Sequence, residues 1–221
     1  MIERLKAEWR LKLVLLVVFN ALFWTGYQVL ARHAFFPIRA VPLTWLDHAV
    51  PFQPEPWAWV YLSQFAFTGS LPLLLTTREA IRCYSVSLAV MSATGFTVFF
   101  FFPTPGPRPA EVGGSLAMEW IAAGDGALNA LPSLHAAFVV CMSALAWRMF
   151  GRAHPRRVVA VAVAWGGAIL FSTLATKQHY ALDLVAGAAL GWLADWLAWR
   201  GASAAAMMPF ISGSTSQLGA R

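Results

Sequence analysis

The chain has 221 residues, of which 59% are hydrophobic and only 12% charged, and its mean hydropathy is +0.61. Soluble domains carry roughly 25% charged residues, so this composition excludes a soluble globular protein and predicts an integral membrane protein. The formal charge of +6 does not indicate a nucleic-acid partner, because no basic helix and no alternation of basic and aromatic residues accompanies it.

Apolar runs of the length needed to cross a bilayer, roughly 20 residues, recur about six times along the chain. The segments between them are polar, and several are rich in proline, glycine or arginine. We therefore predict an all-α fold, a polytopic membrane helical bundle with about six transmembrane helices. The predicted spans cover residues 11–30, 57–75, 84–102, 131–147, 158–175 and 180–199.

The positive charges divide unequally between the two sides that these spans create. With the N-terminus in the cytoplasm, twelve of the 16 Lys and Arg residues lie inside, in agreement with the positive-inside rule. The sequence thus predicts an N-in, C-in topology, with one transmembrane domain over residues 1–200 and a flexible cytoplasmic tail over 201–221. The remaining four basic residues, on the outside, are Arg32, Arg39, Arg108 and Lys177.

The two cysteines give no sign of a disulfide or a metal centre. Cys83 and Cys141 both lie in apolar runs, without a neighbouring Cys or His at the spacing of metal ligands. Such residues are typical of small buried hydrophobic side chains. We therefore predict no metal and no cofactor.

Three polar segments carry residues suited to chemistry, and the predicted topology places all three at the outer face. They are "FPTPGPRP" (102–109), which follows span three, "NALPSLHAA" (129–137), which opens span four, and "STLATKQHYALD" (172–183), which joins spans five and six. Had the number of spans between them differed in parity, a bilayer would separate them. Their position on one side predicts a single shared site.

The last segment contains a histidine and a carboxylate one helical turn apart. On a helix that begins near Lys177, His179 and Asp183 share a face. Asp183 can then accept the Nδ1 proton of His179, which leaves Nε2 free as a nucleophile or base. The alternative is that Asp183 only caps the helix or forms a salt bridge with Lys177.

The other two segments predict an anion site. Asn129 and Pro132 indicate a helix start, which places Ser133 and His135 at an N-terminus that favours an anion such as phosphate. A structural or surface role is the alternative for this histidine. Alternating prolines predict a stiff, extended segment that holds Arg108 in place for bidentate phosphate binding. Contact with lipid headgroups is the alternative for Arg108.

Together these segments supply two histidines, a carboxylate beside one of them and two cations, without a set of metal ligands. This combination indicates phosphoryl transfer, in which positioned cations and helix dipoles stabilise the developing charge. The cations are Arg108 and Lys177.

At these residues the sequence resembles the type 2 phosphatidic acid phosphatase superfamily, which also includes lipid phosphotransferases and vanadium haloperoxidases. The family pattern is K-x6-R-P, then P-S-G-H, then S-R-x5-H-x3-D. The first motif ends at Arg108 and Pro109, and "PSLH" at 132–135 matches the second with leucine in place of glycine. Ser172, His179 and Asp183 match the third motif.

The sequence departs from this pattern at two cations. Phe101 stands where the family has its lysine, Thr173 stands where it has its second arginine, and Lys177 is the candidate substitute. "TKQHY..D" and the upstream "LDHAVPFQPEPWAWVYL" resemble the branch that contains inositol phosphorylceramide synthase-like proteins. The superfamily's lipid phosphatases imply water as the acceptor, whereas this branch implies an alcohol.

The resemblance implies a mechanism through a phosphohistidine. His179 attacks the phosphorus of a lipid phosphate ester, Asp183 orients and stabilises the imidazolium, and His135 protonates the leaving oxygen. His135 then acts as base for the acceptor. The expected partners are a lipid phosphate or phospholipid substrate and membrane lipids.

The remaining site residues complete this expectation. The resemblance gives the phosphoryl oxygens to Arg108, Lys177 and Ser133. Asp47 and His48, in "TWLDHAVPF", are candidates for the headgroup pocket, although an Asp before a turn is commonly a local cap.

A small channel or transporter is the alternative from another class, with His179, Asp183 and Lys177 as an intramembrane relay. Such a relay needs polar groups through the full membrane depth, whereas the inner halves of spans four and six are apolar, with Asp195 expected to be solvated at the cytoplasmic end. Haloperoxidase-like oxidation is disfavoured by the missing cations. The Arg- and Ala-rich composition favours a bacterial inner (cell) membrane with the site facing the periplasm, and leaves the oligomeric state open.

Overall fold

A computed structural model describes residues 2–203 and 206 of the chain. Within this part the regular elements are helices, and no β-strand is present. The predicted all-α fold class is therefore confirmed. In chain order the α-helices are α1 (Ile2–Lys6), α2 (Trp9–Arg32), α3 (Trp45–Ala49), α4 (Trp57–Ser70), α5 (Arg78–Phe101), α6 (Leu116–Gly124), α7 (Leu134–Phe150), α8 (Pro155–Val161), α9 (Gly167–Ala175) and α10 (Ala181–Trp199).

Four helical stretches of the described residues are long and apolar enough to cross a membrane. Three are α2, α5 and α10, and the fourth is Pro155–Ala175, in which a π-helical turn joins α8 to α9. α7 is a shorter apolar helix of 17 residues, and α4, of 14 residues, is prolonged by the 3-10 turn Leu71–Leu74. The chain is thus a membrane helical bundle, while the six-span count and the N-in, C-in orientation stay predictions.

Local sequence signals explain where several of these helices begin and end. Ser133 caps α7, because its side-chain oxygen accepts a hydrogen bond from the backbone of Ala136 at 3.3 Å. Thr77 caps α5 in the same way. Pro72 has no N–H to continue an α-helical ladder, so α4 gives way to the 3-10 turn there.

The parallel pair α7 and α10 forms the centre of the bundle. Gly187 and Gly191 of α10 lie directly against the backbone of α7. A Cβ atom at either position would collide with a carbonyl oxygen, that of Ser133 or that of Ala137. This small-residue spacing brings the two backbones together, as the G-x-x-x-G pattern indicates. The close packing fixes the relative height of the residues that begin the two helices.

Each end of this helix pair carries ionisable residues. We call the end near His135 and His179 the histidine end, and the opposite end the arginine end. At the arginine end, Arg148 donates to both carboxylate oxygens of Asp195, at 2.7 and 2.5 Å, and its guanidinium lies 4.6 Å from the centre of the Trp199 ring. Asp195 is 6% exposed. The expectation that Asp195 is solvated is therefore wrong, because the neighbouring helix supplies its partner.

The C-terminal segment is described only at its start. Ser203 donates from its side chain and its backbone to Glu79, in the first turn of α5. The predicted flexible tail at 201–221 otherwise lies outside the described residues, apart from Ala206. The boundary of the predicted domain at residue 200 stays a prediction.

Candidate active site

The two histidines that begin the central helices lie in direct contact. His135 is in the first turn of α7, and His179 lies just before α10. Nδ1 of His135 is 3.3 Å from Nε2 of His179, and their ring centres are 5.4 Å apart. The structure therefore joins the second and third polar segments, which the sequence separates by about forty residues.

A backbone carbonyl fixes the ring of His179. Its Nδ1 lies 3.0 Å from the carbonyl oxygen of Ala130. Because a carbonyl only accepts hydrogen bonds, Nδ1 carries the proton in this arrangement, and the lone pair is on Nε2. The side chain of His179 is 5% exposed. Nε2 is thus directed at His135 and not at bulk solvent.

Asp183 is the second neighbour of the same Nδ1. Its Oδ2 lies 3.5 Å from Nδ1 of His179 and accepts a hydrogen bond from the backbone of Tyr180 at 2.9 Å. The sequence predicts that Asp183 takes the Nδ1 proton; in the structure the Ala130 carbonyl is the nearer acceptor. Asp183 is wholly buried, and its Oδ1 has no hydrogen-bond partner. Its charge can therefore stabilise a positive His179 without holding its proton.

The proline-rich segment is tied alongside the start of α7. The backbone of Ala130 donates to the Thr104 carbonyl at 3.1 Å, and the backbone of Gly106 donates to Ala127 at 2.9 Å. A Cβ atom at Gly106 would lie 2.7 Å from the carbonyl oxygen of Gln178. The first polar segment therefore contacts both of the others.

Arg108 is anchored at this meeting point. Its Nη2 donates to the Gly126 carbonyl at 2.6 Å and lies 3.2 Å from Oδ2 of Asp125. Burial alone would lower the pKa of Arg108, but the Asp125 carboxylate together with Tyr61 and Tyr27 outweighs burial, and the pKa is raised. Its Nε is buried without a hydrogen-bond partner. One N–H of a fixed guanidinium is therefore available to an anion.

Asp125 is a site residue that the sequence reasoning missed. The hydroxyls of Tyr27 and Tyr61 donate to it at 2.6 and 3.0 Å, and the Asn129 amide donates at 3.1 Å. Burial raises the pKa of Asp125, but the Arg108 charge, His135 and these hydrogen bonds together lower it to about 2. Asp125 thus stays ionised and neutralises Arg108 through contact with its Nη2.

Tyr61 connects this carboxylate to the histidine pair. Its ring centre lies 4.4 Å from that of His135, and Gln64, one turn later on α4, donates to the His135 carbonyl at 3.1 Å. The sequence offers one signal for this network, the Asp125 in "GDGALNA" four residues before Asn129. Tyr61 lies in an apolar run and carries no such signal.

Ser133 serves first as the cap of α7. It is fully buried, its oxygen accepts from the Ala136 backbone, and its own backbone N–H donates to the Asp183 carbonyl at 3.0 Å. The hydroxyl proton is not used by the capping bond. Ser133 therefore positions the two helix starts, and its predicted contact with phosphate stays a prediction.

Lys177 is turned toward a neighbouring loop. Its ammonium donates to the carbonyl of Asp47 at 3.0 Å and to that of Val50, and its backbone is left-handed with φ of 55°. These carbonyls are at the end of α3. Two of three ammonium protons are thereby engaged, so Lys177 anchors the loop before His179. Its role as a phosphate ligand stays a prediction.

Asp47 and His48 lie on α3, the short helix that Lys177 contacts. Asp47 accepts from Thr44 at 2.7 Å and from the backbone of Ala181, the first residue of α10, at 2.8 Å. Burial raises the pKa of Asp47, but the hydrogen bonds from Thr44 and Ala181 outweigh it and the pKa is lowered. His48 is exposed. Asp47 therefore links α3 to α10, and a headgroup pocket at either residue stays a prediction.

Among the described residues, no group of three His, Cys, Asp or Glu side chains is arranged to hold a metal ion. The groups that do converge are a histidine pair, a buried carboxylate behind it and a guanidinium with a free N–H. Such a set, at one end of a bundle of apolar helices, defines a membrane enzyme for phosphoryl chemistry.

Comparison with protein families places the chain within that class. The model of the PAP2 superfamily matches residues 28–197, which include every site residue described above except Tyr27. The chain belongs to the PAP2 superfamily, and the resemblance found in its motifs is confirmed at this level. Searches of curated proteins and of solved structures gave no match. The chain is accordingly a phosphatase-type lipid enzyme of the membrane.

Proposed function

We propose that the protein cleaves a lipid phosphate ester through a phosphohistidine on His179. The observation that carries this proposal is the histidine contact: Nε2 of His179 lies 3.3 Å from His135, while Nδ1 is held by the Ala130 carbonyl. A neutral imidazole with a fixed, unprotonated Nε2 is a nucleophile. The second histidine at its side supplies the acid and base that a two-step displacement needs.

In the first step Nε2 of His179 attacks phosphorus, and the bond from phosphorus to the lipid oxygen breaks. His135, in its protonated form, gives a proton to that leaving oxygen, so a lipid alcohol departs. Attacking and leaving atoms lie roughly in line in phosphoryl transfer. The rings must therefore move apart from their 3.3 Å contact to admit the phosphorus between them.

In the second step an acceptor attacks the phosphohistidine. His135, now neutral, takes the proton of the acceptor as it bonds to phosphorus, and Nε2 of His179 is released. Water gives inorganic phosphate, and an alcohol gives a new phosphate ester. During both steps the positive His179 lies beside Asp183, whose buried carboxylate favours the charged ring.

The phosphoryl oxygens need donors that the protein leaves unpaired. Arg108 offers its buried Nε, which has no hydrogen-bond partner, and the N-terminus of α7 adds a partial positive charge. Ser133 can contribute its hydroxyl proton. Lys177 can contribute only its remaining proton unless it releases one of its two carbonyl partners.

The same steps accommodate the headgroup transferase that the sequence motifs favour, an inositol phosphorylceramide synthase-like enzyme, when the acceptor is an alcohol. A channel or transporter is less compatible with the structure. At the arginine end Arg148 and Asp195 are paired with each other, so neither is free to continue a polar relay from the histidine end. We further propose that the histidine end faces the periplasm of a bacterial inner membrane.

The test is turnover by purified protein in detergent with a panel of lipid phosphates and phospholipids, with and without inositol or a ceramide-like alcohol. We expect release of inorganic phosphate, or headgroup transfer when the alcohol is present. Quenching in alkali should trap phosphate on His179, since a phosphohistidine survives base and is lost in acid. The absence of both reactions and of the trapped phosphate across the panel would contradict the proposal.

A further inference from the structure

A long apolar groove extends from the candidate active site along the first long helix. It has a volume of about 530 Å³ and is bounded by α2, α4 and α5. At one end it is lined by His135 and Tyr27, and at the other by Lys12 and Leu73. Its volume is within the range of ligand sites, about 300–1,000 Å³.

The groove exists because α2 is barely packed into the bundle. Only 6% of the apolar stretch of α2 is buried inside the protein, whereas 33–39% is buried in the other three candidate spans. Leu16, Leu22 and Phe65 line the groove and are 45%, 70% and 47% exposed. In a membrane these side chains face hydrocarbon, so the groove is open sideways to lipid.

The groove reaches the candidate active site. A smaller cavity beside it is lined by Trp24, Tyr27 and His135 in common with the groove, and also by Asp125 and Tyr61. A molecule with a phosphate at the histidine pair would therefore have its next atoms at the mouth of the groove. Only an apolar continuation matches the walls, which are mostly aliphatic and aromatic.

The length of the groove indicates the kind of chain that fits. From Tyr27 to Lys12 is fifteen residues of α2, or about 22 Å of helix. Half of a bilayer core is about 15 Å. The floor is closed by the Lys12 ammonium, which donates to the carbonyls of Arg4 and Leu73 at 2.7 Å. A chain can thus extend past the membrane midplane before it meets a charge.

We propose that this groove binds one hydrocarbon chain of the lipid phosphate substrate and that Gly69 sets how long a chain it accepts. Phe65 and Gly69 lie on one face of α4, Pro72 follows in the 3-10 turn Leu71–Leu74, and all three line the groove. A Cβ atom at Gly69 meets nothing within 4 Å. Position 69 is five residues from Gln64, which contacts His135, so a side chain there would narrow the groove about 8 Å from the site.

The experiment compares octyl, dodecyl and octadecyl phosphate as substrates of wild-type protein and of Gly69→Leu. This assay rests on the proposed phosphatase activity. We expect kcat/KM for octadecyl phosphate to fall by about tenfold or more, and that for octyl phosphate to change by less than about twofold, because each excluded methylene loses burial. Gly167→Leu is the matched control, since Gly167 is also an exposed helical glycine with nothing within 4 Å and lies outside the groove.

Binding to His179→Ala protein separates this proposal from the reaction itself. Octadecyl phosphate should bind it more tightly than octyl phosphate does, and Gly69→Leu in the same background should remove that difference. If affinity depends on the length of the hydrocarbon chain but the wild type shows no turnover, the role of the groove in lipid binding is supported and the proposed reaction is rejected. If the dependence of turnover on chain length is the same in wild type and Gly69→Leu, the groove does not bind the hydrocarbon chain of the substrate. It is then covered by bulk lipid or by a second copy of the protein. Leu16→Trp, on the facing wall, repeats the test if Gly69→Leu misfolds.

Discussion

Both ends of the central pair α7 and α10 contain buried ionisable groups. These groups are hydrogen-bonded to each other at the arginine end and are partly without partners at the histidine end. At the arginine end Arg148 and Asp195 satisfy each other through two hydrogen bonds. At the histidine end Oδ1 of Asp183 and Nε of Arg108 are buried without partners. Each unsatisfied buried group lowers the stability of the folded protein by about 1–3 kcal/mol. The difference indicates that the arginine end holds the helices together, whereas the histidine end keeps polar groups available for a ligand.

The largest effect is expected from His179→Ala, at the histidine end. Because the variant removes the nucleophile, we expect kcat/KM to fall by about four orders of magnitude or more. The variant should also accumulate no trapped phosphate, while its thermal unfolding in detergent stays close to that of the wild type. A variant that kept a tenth of the activity would remove His179 from the mechanism.

His135→Ala should lower activity on alkyl phosphates by about 10²–10⁴-fold, the usual contribution of a general acid. The loss in the first step should be smaller for p-nitrophenyl phosphate, whose leaving group departs without a proton. The measurement is the burst of p-nitrophenol compared with steady-state alcohol release from an alkyl ester. Equal losses for both esters would show that His135 is not the acid.

At the arginine end, Asp195→Ala should act on stability. It leaves a buried arginine unpaired, so we expect a loss of about 3–5 kcal/mol in the free energy of unfolding. Turnover per folded molecule should be unchanged. The matched control is the double variant Arg148→Met and Asp195→Leu, which removes both charges and should recover most of the stability. Loss of activity in folded Asp195→Ala protein would contradict the division between the ends.

Asp125→Asn tests the charge that holds Arg108. The folded pKa of Asp125 is about 2, below the usual value near 3.9, so ionised Asp125 stabilises the fold by about 2–3 kcal/mol. Since the pKa is depressed, this contribution is fully present above pH ~4 and is lost as the pH falls toward ~2. The stability difference between wild type and variant should therefore shrink over that interval. A pH-independent difference would show that the charge of Asp125 is not the cause.

The smallest effect is expected at Lys177, an ionisable group at the histidine end that is paired. Lys177→Met removes hydrogen bonds to two carbonyls and should cost about 1–2 kcal/mol of stability. Inhibition by inorganic phosphate should change by less than about twofold, because the ammonium is engaged with α3. Phosphate inhibition weakened by about tenfold would instead support the role that the sequence predicts for Lys177.

Whether a feature could be predicted from the sequence depends on how far apart along the chain its interacting residues lie. Helical class and the approach of His179 to Asp183 are local properties, readable from apolar run length and a four-residue spacing. The hydrogen bond from Tyr27 to Asp125 joins residues 98 positions apart, and the partner of Asp195 is 47 positions away. Such pairings depend on how helices pack, which no local pattern encodes. They are the features that sequence reasoning missed or got wrong.

The hydrogen bond between His179 and the carbonyl of Ala130 also bears on how this site can evolve. Every residue type presents the same carbonyl, so the proton position on His179 depends on the backbone at position 130 and on a side chain small enough for the buried space that Ala130 fills. Changing the tautomer would require a new backbone path between Asn129 and Ser133. The orientation of the nucleophile is therefore insulated from most point mutations, while acceptor and lipid preference remain free to diverge around it.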